Sequence, residues 1–237
     1  MQIDGAVALV TGGNRGLGEQ FVKALLDRGA AKVYAAARNP DTVTVPGAVP
    51  LALDITDPAA VRAAAEQAQD VTLLINNAGI STGTGVLDGD LEGFRREMDT
   101  HAFGTLEVSR AFAPILARNG GGALLNVLSV LSWYVIPANT AYSASKAAAW
   151  AITNALRVQL AEQRTLVSAL HVGYMDTDMA AAVDQPKADP AKVAHAALDA
   201  IEAGRYEIIA DEITAQVKAG LSADPSALYP QLVQPAA

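Results

Sequence analysis

The chain has 237 residues, of which 51% are hydrophobic and 18% charged, so it can bury a sizeable core and is not expected to be disordered. Its 17 basic and 25 acidic residues give a net charge of −8, which repels phosphate backbones and argues against nucleic-acid binding. The absence of cysteine excludes disulfides, thiol catalysis and cysteine-ligated metal sites.

Short apolar runs alternate with longer amphipathic stretches along the whole chain. The predicted strands are residues 6–10, 32–37, 49–53, 71–75, 122–128, 166–172 and 206–210, and the predicted helices are about 16–28, 57–68, 91–117, 141–163 and 190–203. Several strands are apolar on both faces, which is typical of a parallel sheet covered by helices above and below. The alternation predicts an α/β fold with a Rossmann-type, doubly wound parallel sheet in three αβα layers.

No internal repeat or low-complexity linker divides the chain, so we expect one domain over residues 1–237. Residues about 1–125 would form its cofactor half and residues about 126–237 its catalytic and substrate half. The last seventeen residues, 221–237, contain several prolines and are expected to dock on the surface or fray.

A glycine-rich stretch, "TGGNRGLG" at 11–18, lies between the first predicted strand and the first predicted helix. Gly12, Gly16 and Gly18 would allow a tight turn and a close approach of a pyrophosphate to the helix N-terminus. A glycine-rich turn without a ligand is the alternative. The position after a strand and before a helix favours dinucleotide binding.

The end of the second strand bears on the choice of dinucleotide. A Rossmann strand normally presents an acidic residue there to the ribose 2′-hydroxyl of NAD, but here Ala37 and Arg38 occupy that place. Arg38, with Arg15 of the glycine loop, could hold a 2′-phosphate. Alternatively, both arginines only solvate helix edges. The residues favour NADP(H) over NAD(H).

Tyr142 and Lys146, in "YSASK", stand four residues apart, which places them on one face of a helix. A lysine cation at that distance would stabilise a phenolate and lower the tyrosine pKa from its usual value near ~10. The alternative is an ordinary pair on a helix surface.

The remaining sequence signals are negative. "MQIDGAVALV" has no basic region and too short an apolar run for a signal peptide or membrane span, so we expect a cytoplasmic protein without membrane contact. His101, His171 and His195 are widely spaced and show no metal-ligand pattern, so no metal is expected.

Four motifs in order resemble the short-chain dehydrogenase/reductase family. They are the glycine loop, "LDITD" (53–57), "NNAG" (76–79) and "YSASK" (142–146). Ser129 stands thirteen residues before Tyr142, which is the family's spacing for its serine, whereas the nearby Ser132 does not fit that spacing. The resemblance covers nearly the whole chain.

This resemblance implies hydride transfer between a nicotinamide cofactor and a carbonyl, either a ketone or an aldehyde, or the corresponding alcohol. Tyr142 would protonate the carbonyl oxygen, Lys146 would lower the tyrosine pKa and bind the nicotinamide ribose, and Ser129 would hydrogen-bond the substrate oxygen. Asp54 would lie by the adenine ring and Thr177 near the carboxamide. The implied cofactor-binding residues are Gly12, Asn14, Arg15, Gly16, Leu17, Gly18, Arg38, Asp54, Ile55, Asn77, Ala78, Gly79, Tyr142, Lys146, Gly173 and Thr177.

Two positions depart from the family pattern. His101, in "HAFG", replaces an asparagine that in the family helps hold a water for a proton relay, and Val172 precedes Gly173 where the family has proline. A histidine could hold such a water and would add a pH dependence between about 5.5 and 7.5. The alternative is a histidine that only fills space.

The substrate and the assembly are less closely specified. An apolar wall of Trp133, Tyr134, Tyr174, Met175 and Met179 could favour a small-molecule substrate with an apolar body, or these residues could be core or subunit contacts. The resemblance implies a homodimer or homotetramer formed through the helices near 91–117 and 141–163. An NADP-binding redox sensor or scaffold with little or no turnover is the alternative to an enzyme.

Overall fold

Seven parallel strands form the centre of the protein in a computed structural model that describes residues 1–232. The strands are β1 (Val7–Thr11), β2 (Lys32–Ala37), β3 (Val49–Ala52), β4 (Leu73–Asn76), β5 (Gly122–Val127), β6 (Thr165–His171) and β7 (Glu207–Ile209). They lie in the order β3-β2-β1-β4-β5-β6-β7. The predicted Rossmann-type sheet in a single domain is confirmed.

From β1 the chain adds β2 and β3 on one side of the sheet and then returns to add β4 on the other side of β1. The strand order therefore reverses between β1 and β4. At such a reversal the loops that leave adjacent strands turn to opposite faces of the sheet, which leaves a crevice at the carboxyl ends of the strands. The glycine loop follows β1 at this crevice, and residues 77–79 follow β4 beside it.

Helices cover both faces of the sheet. They are α1 (Gly16–Asp27), α2 (Pro58–Gln67), α3 (Leu91–Met98), α4 (Thr105–Arg118), α5 (Thr140–Gln159), α6 (Pro190–Glu202), α7 (Glu212–Gly220) and α8 (Pro225–Leu228). Neighbouring positions in β1 point to opposite faces, so Val10 packs with Phe21 of α1 while Leu9 packs with Phe112 of α4. No helix within residues 1–232 combines the length and the apolar character needed to cross a bilayer.

The helix predicted over 91–117 is interrupted, which corrects the prediction of one regular helix. Residues Asp99–Gly104 form a π-helical turn between α3 and α4. Such turns are frequent at functional sites. Gly104 allows this turn to approach the sheet closely, because a Cβ there would lie 3.0 Å from the Ile55 carbonyl oxygen.

The end of the described chain docks against the carboxyl-terminal edge of the sheet. Asp211 accepts the Thr214 N–H at 2.8 Å and so caps α7, and its other oxygen accepts the Gly173 N–H at 2.7 Å. The sequence did not predict α7 or α8. Residues 221–232 dock on the surface, which was one of the two expectations for the end of the chain. Residues 233–237 of that stretch lie outside the described residues.

Candidate active site

One large cavity runs along the carboxyl ends of the strands, from the glycine loop to α8. Its volume is about 1560 Å³. A pocket for a single small ligand typically measures roughly 300–1,000 Å³, so this cavity has room for a cofactor and a substrate together. Every predicted catalytic and cofactor-binding residue lines it except Gly18.

The glycines of the loop have separate structural roles. Gly12 and Gly16 have φ of +65° and +53°, in the left-handed region that favours glycine. Gly18 lies just inside α1, and a Cβ there would be 2.0 Å from the Gly12 carbonyl oxygen. Gly18 therefore lets the loop fold onto the helix, while the loop backbone itself faces the cavity.

The segment after β4 braces the glycine loop from the side. The Asn77 side chain donates to the Thr11 and Gly12 carbonyl oxygens at 2.9 and 3.3 Å. In return, Thr11 Oγ1 accepts the backbone N–H groups of Asn77 and Ala78 at 2.9 and 3.0 Å. These buried side-chain bonds hold the two strand ends together and fix the rim of the crevice.

The end of the cavity next to β2 has exposed cationic side chains. Arg38 follows the buried Ala37, is exposed, and forms no hydrogen bond or ion pair with any of residues 1–232. Arg15 lies 3.6 Å from Asp178, with both side chains more than two-thirds exposed, so this pair is weak. Asp54 is oriented by the Thr56 N–H and hydroxyl, at 2.9 and 2.7 Å.

Ser129 lies where the chain leaves β5 and enters a short 3₁₀ turn. Its Oγ accepts the Leu131 N–H at 3.1 Å and is 3.4 Å from the Val172 carbonyl oxygen. Ser132 is buried, does not line the cavity and has its Oγ 3.4 Å from the Ser129 nitrogen. Of these two serines, Ser129 is the one that faces the space next to Tyr142.

Helix α5 carries Tyr142 and Lys146 on the face that lines the cavity. Lys146 is buried, its Nζ donates to the Val127 carbonyl oxygen at 2.9 Å, and it lies 5.5 Å from the centre of the Tyr142 ring. Burial lowers the pKa of Lys146 to about 8, although the negative charge of Glu97 acts in the opposite direction.

The Tyr142 phenol differs from the expectation of a lowered pKa. Burial and the negative charge of Glu97 raise the pKa of Tyr142 above its usual value, and only the nearby Ser129 hydroxyl opposes this rise. Burial and a nearby negative charge both disfavour a phenolate. In the protein alone, Tyr142 is therefore held as the protonated phenol, which is the form that can donate a proton.

His101 is buried in the π turn, and the protein uses both of its ring nitrogens. Nε2 accepts the Ile80 N–H at 3.1 Å. Nδ1 lies 2.8 Å from Ser145 Oγ and 3.2 Å from Glu97 Oε2, so the neutral ring carries its proton on Nδ1. The ring meets Tyr142 edge to face at 5.1 Å between centroids.

This geometry favours the alternative that His101 fills space over the hypothesis that it holds a relay water and titrates between about pH 5.5 and 7.5. Burial and the charge of Lys146 lower the pKa of His101 to about 4, although Glu97 opposes them. A second ring proton would also point at the Ile80 N–H and break that hydrogen bond. His101 is neutral at physiological pH and supports the position of Tyr142 by packing.

Glu97 is a buried carboxylate next to the Tyr142 and Lys146 pair that the sequence analysis missed. Its Oε1 accepts the Thr82 N–H at 2.6 Å. Burial raises the pKa of Glu97, but the hydrogen bonds from His101 and the Thr82 N–H outweigh it and lower the pKa below its usual value. The signal that could have found this residue is its position four residues before His101, on the same helical face.

Ser145, His101 and Glu97 are adjacent but do not form a hydrolytic triad. Both partners lie against the same nitrogen of His101, whereas a triad uses both nitrogens. Ser145 is fully buried, and its hydroxyl donates to the Tyr142 carbonyl oxygen at 2.8 Å. The group instead links the π turn to the backbone of α5 at the tyrosine.

A second histidine supports Ser129 from behind. His171 is fully buried, with Nδ1 at 3.1 Å from the Ser129 carbonyl oxygen and Nε2 at 3.1 Å from Glu207 Oε2. Trp133 stacks on the His171 ring with 3.7 Å between centroids and does not line the cavity. Trp133 thus follows the alternative of a packing contact, whereas Tyr134, Tyr174, Met175 and Met179 line the cavity.

Comparisons with known proteins identify the family. A family model described as short chain dehydrogenase matches residues 6–188. The chain belongs to this family of oxidoreductases. Within residues 1–232, no group of three His, Cys, Asp or Glu side chains could hold a metal ion.

Individual relatives of this short-chain dehydrogenase agree over most of its length. A short chain dehydrogenase from Burkholderia cenocepacia, solved in complex with NADP, is 43% identical, has a TM-score of 0.94, and is matched over 99% of this chain and 100% of that chain. A 3alpha-hydroxysteroid dehydrogenase from Mediterraneibacter gnavus is 32% identical over 80% of this chain and 82% of that protein. A putative short-chain alcohol dehydrogenase from Sinorhizobium meliloti is 28% identical, with a TM-score of 0.81 and coverage of 91% and 98%.

The buried charge of Glu97 leads to a prediction about pH dependence. Glu97 raises the pKa of both Lys146 and Tyr142, so Glu97→Gln should lower both pKa values. A carbonyl reduction of the kind proposed below would need a charged Lys146 and a protonated Tyr142, so that activity should be lost at lower pH than in the parent protein. Alcohol oxidation should begin at lower pH for the same reason.

The measurement is kcat/KM against pH in both directions. Glu92→Gln, which makes the same change at an exposed position of α3, is the control and should leave both profiles in place. Unmoved profiles in a folded Glu97→Gln variant would contradict the assigned influence of this carboxylate.

Proposed function

We propose that this short-chain dehydrogenase is an NADP(H)-dependent oxidoreductase that interconverts a ketone or aldehyde and the corresponding alcohol, using Ser129, Tyr142 and Lys146. The observation that carries the proposal is that these three side chains line the same cavity that begins at the glycine loop. A dinucleotide along the loop would reach the three residues without leaving the cavity.

The residues at the crevice fit a dinucleotide. A Cβ on Gly12 would lie 3.1 Å from the Ala78 Cα. Only glycine therefore allows the close contact between the loop and the segment that follows β4. The first N–H groups of α1 have no partner within the helix and favour an anion such as a pyrophosphate. When bound, the reduced cofactor supplies the hydride.

The chain's own residues manage the substrate oxygen. Tyr142 donates its proton to the carbonyl oxygen, and Ser129 Oγ–H stabilises the negative charge that grows there in the transition state. One of the three Lys146 protons is used by the Val127 carbonyl, which leaves two for ribose hydroxyl groups in the cavity. The raised pKa of Tyr142 keeps the phenol protonated at neutral pH, which is the form that donates a proton in reduction.

The assignment of the proton donor can be tested with two variants. Tyr142→Phe should keep NADPH affinity, because the ring still packs, but lower kcat for carbonyl reduction by about 10²–10⁴-fold, because the acidic proton is lost. Lys146→Ala should weaken both NADPH binding and kcat. NADPH consumption with a panel of neutral ketones and aldehydes, and the NADPH Kd by fluorescence, separate these effects.

Tyr206→Phe, at an exposed tyrosine outside the cavity, is the matched control and should behave like the parent protein. If Tyr142→Phe kept most of its activity, the proton-donor role would be wrong. If the parent protein bound NADPH but reduced no member of the panel, the alternative of an NADP-binding redox sensor or scaffold would be favoured.

The preference for NADP(H) over NAD(H) is part of this proposal. Arg38 is exposed at the cavity edge and uncompensated among residues 1–232, and β2 ends in Ala37 without a carboxylate that would repel a 2′-phosphate. The Burkholderia cenocepacia relative, 43% identical, was solved with NADP. Both observations support the phosphorylated cofactor.

A charge-assisted contact to the 2′-phosphate is worth roughly 1.5–3 kcal/mol, or about tenfold to over a hundredfold in affinity. NADPH should therefore exceed NADH at least about tenfold in kcat/KM, and Arg38→Asp should reverse the order by replacing attraction with repulsion. Arg62→Asp makes the same charge change at an exposed position of α2, outside the cavity. This control should not change the cofactor preference. Equal use of both cofactors by the parent protein would refute this preference.

Assembly into a homodimer or homotetramer is also proposed. Ala144, Ala148, Ala151, Ala155 and Val158 follow one another at helical spacing along the outer face of α5, and none of them is buried. Small side chains in such a row allow two helices to approach closely. Val158 is 77% exposed in the single chain, which supports a partner at this face.

Val158→Asp should lower the molar mass measured by light scattering at micromolar concentration, because an aspartate would be buried in the contact between helices. Leu87→Asp is the control, since Leu87 is 96% exposed and is not part of the α5 face. A parent protein that is monomeric under these conditions would contradict the proposed assembly.

A further inference from the structure

Beyond Ser129 and Tyr142, the cavity continues into a lobe that no cofactor-binding residue lines. We call this space the substrate lobe and define it by Tyr134, Ile136, Met179, Gln216, Val217 and Leu228. Its outer wall comes from α7 and α8, at the end of the described chain.

The substrate lobe is nearly free of charge. Among the lining residues between Val127 and Asn139 and between Val172 and Leu228, the only charged side chain is Asp178, which faces Arg15 of the glycine loop at 3.6 Å. The polar side chains along the lobe are neutral, namely amides and hydroxyl groups. An anionic group entering this space would lose its hydration and find no cation there.

The outer wall is fastened by an aromatic contact across the lobe. Tyr229 stacks on Tyr134 with 5.0 Å between ring centroids and an angle of 10° between the planes. The Val135 N–H donates to Tyr229 Oη at 2.9 Å, over a separation of 94 residues. Leu228 lines the cavity next to this contact, so the stack sets how far the apolar wall stands from Tyr142.

We propose that the substrate lobe takes an uncharged, mainly apolar carbonyl compound or its alcohol, and that the Tyr134–Tyr229 stack limits the length of the substrate. This inference rests on the proposed function and specifies the substrate class of the same site. Tyr134 and Tyr229 are specificity-determining residues, and neither is part of the proton transfer.

Besides Arg15, Arg38 and Lys146, which the proposed function assigns to the cofactor, Arg96 is the only cation among the described residues that line the cavity. It is exposed on α3, lines the same cavity and is not among the residues that define the substrate lobe. A substrate whose carboxylate bound this guanidinium would be held outside the substrate lobe. The charge preference of the enzyme therefore distinguishes the two orientations.

The charge selection is tested with ethyl benzoylformate and benzoylformate, which share the reacting ketone and differ by the negative charge. With NADPH, the ester should exceed the acid by at least about a hundredfold in kcat/KM, because the acid would bury an unpaired charge. Equal rates, or a preference for the acid that Arg96→Gln removes, would overturn the inference while leaving the proposed function intact. No turnover of either compound or of any ketone in the panel would refute the proposed function, and the inference with it.

The length limit is tested with 2-alkanones of increasing chain length. Tyr229→Ala should raise kcat/KM for the longest alkanones at least about tenfold, since several methylene groups would gain space, with little change for butanone or in NADPH Kd. Tyr229→Phe keeps the stack and should keep the parent length limit, and Tyr206→Ala is the exposed control. An unchanged length dependence in a Tyr229→Ala variant with the parent unfolding temperature would overturn the role of the stack.

Discussion

The buried ammonium of Lys146 is the group on which the rest of the site depends. A cation taken out of water is costly unless oppositely charged or carbonyl groups replace its hydration, and here the Val127 carbonyl and the charge of Glu97 do so. Glu97 must itself be buried and hydrogen-bonded, which requires Thr82 and His101. The position of Lys146 thus accounts for a chain of buried polar groups extending from β5 to the π turn.

A second group of buried hydrogen bonds links the sheet to the helices that flank these polar groups. The Asn76 side chain donates to Ser109 on α4 at 3.0 Å and to Asn126 on β5 at 2.9 Å, and Asn126 donates to Thr153 on α5 at 2.8 Å. These bonds fix the positions of α4 and α5 along the direction of the central strands β4 and β5. The helix that carries the tyrosine and the lysine is therefore positioned by specific hydrogen bonds as well as by apolar packing, which alone tolerates small shifts.

Sequence reasoning succeeded where the signal was local. The apolar runs predicted all seven strands, and the short spacings within 11–18 and 142–146 located two parts of the cavity lining. It failed where the cause is distant in the chain. His171 contacts Ser129 across 42 residues, and Tyr229 contacts Val135 across 94. The hydrophobic periodicity of the sequence does not predict contacts between residues so far apart. Short α7 was missed because its start depends on Asp211, which also holds the Gly173 N–H of another loop.

The π turn over residues 99–104 determines the rotation of α4 about the helix axis relative to α3. Each residue of an α-helix turns the chain by about 100°, and a π turn contains one residue more than the α-helical path. Because of that extra residue, α3 directs Glu97 toward Thr82 while α4 directs Phe112 into the core below the sheet. Loss of a single residue here would leave a regular helix in which only one of these side chains could keep its place. The number of residues in this segment is therefore as much a determinant of the active site as their identity.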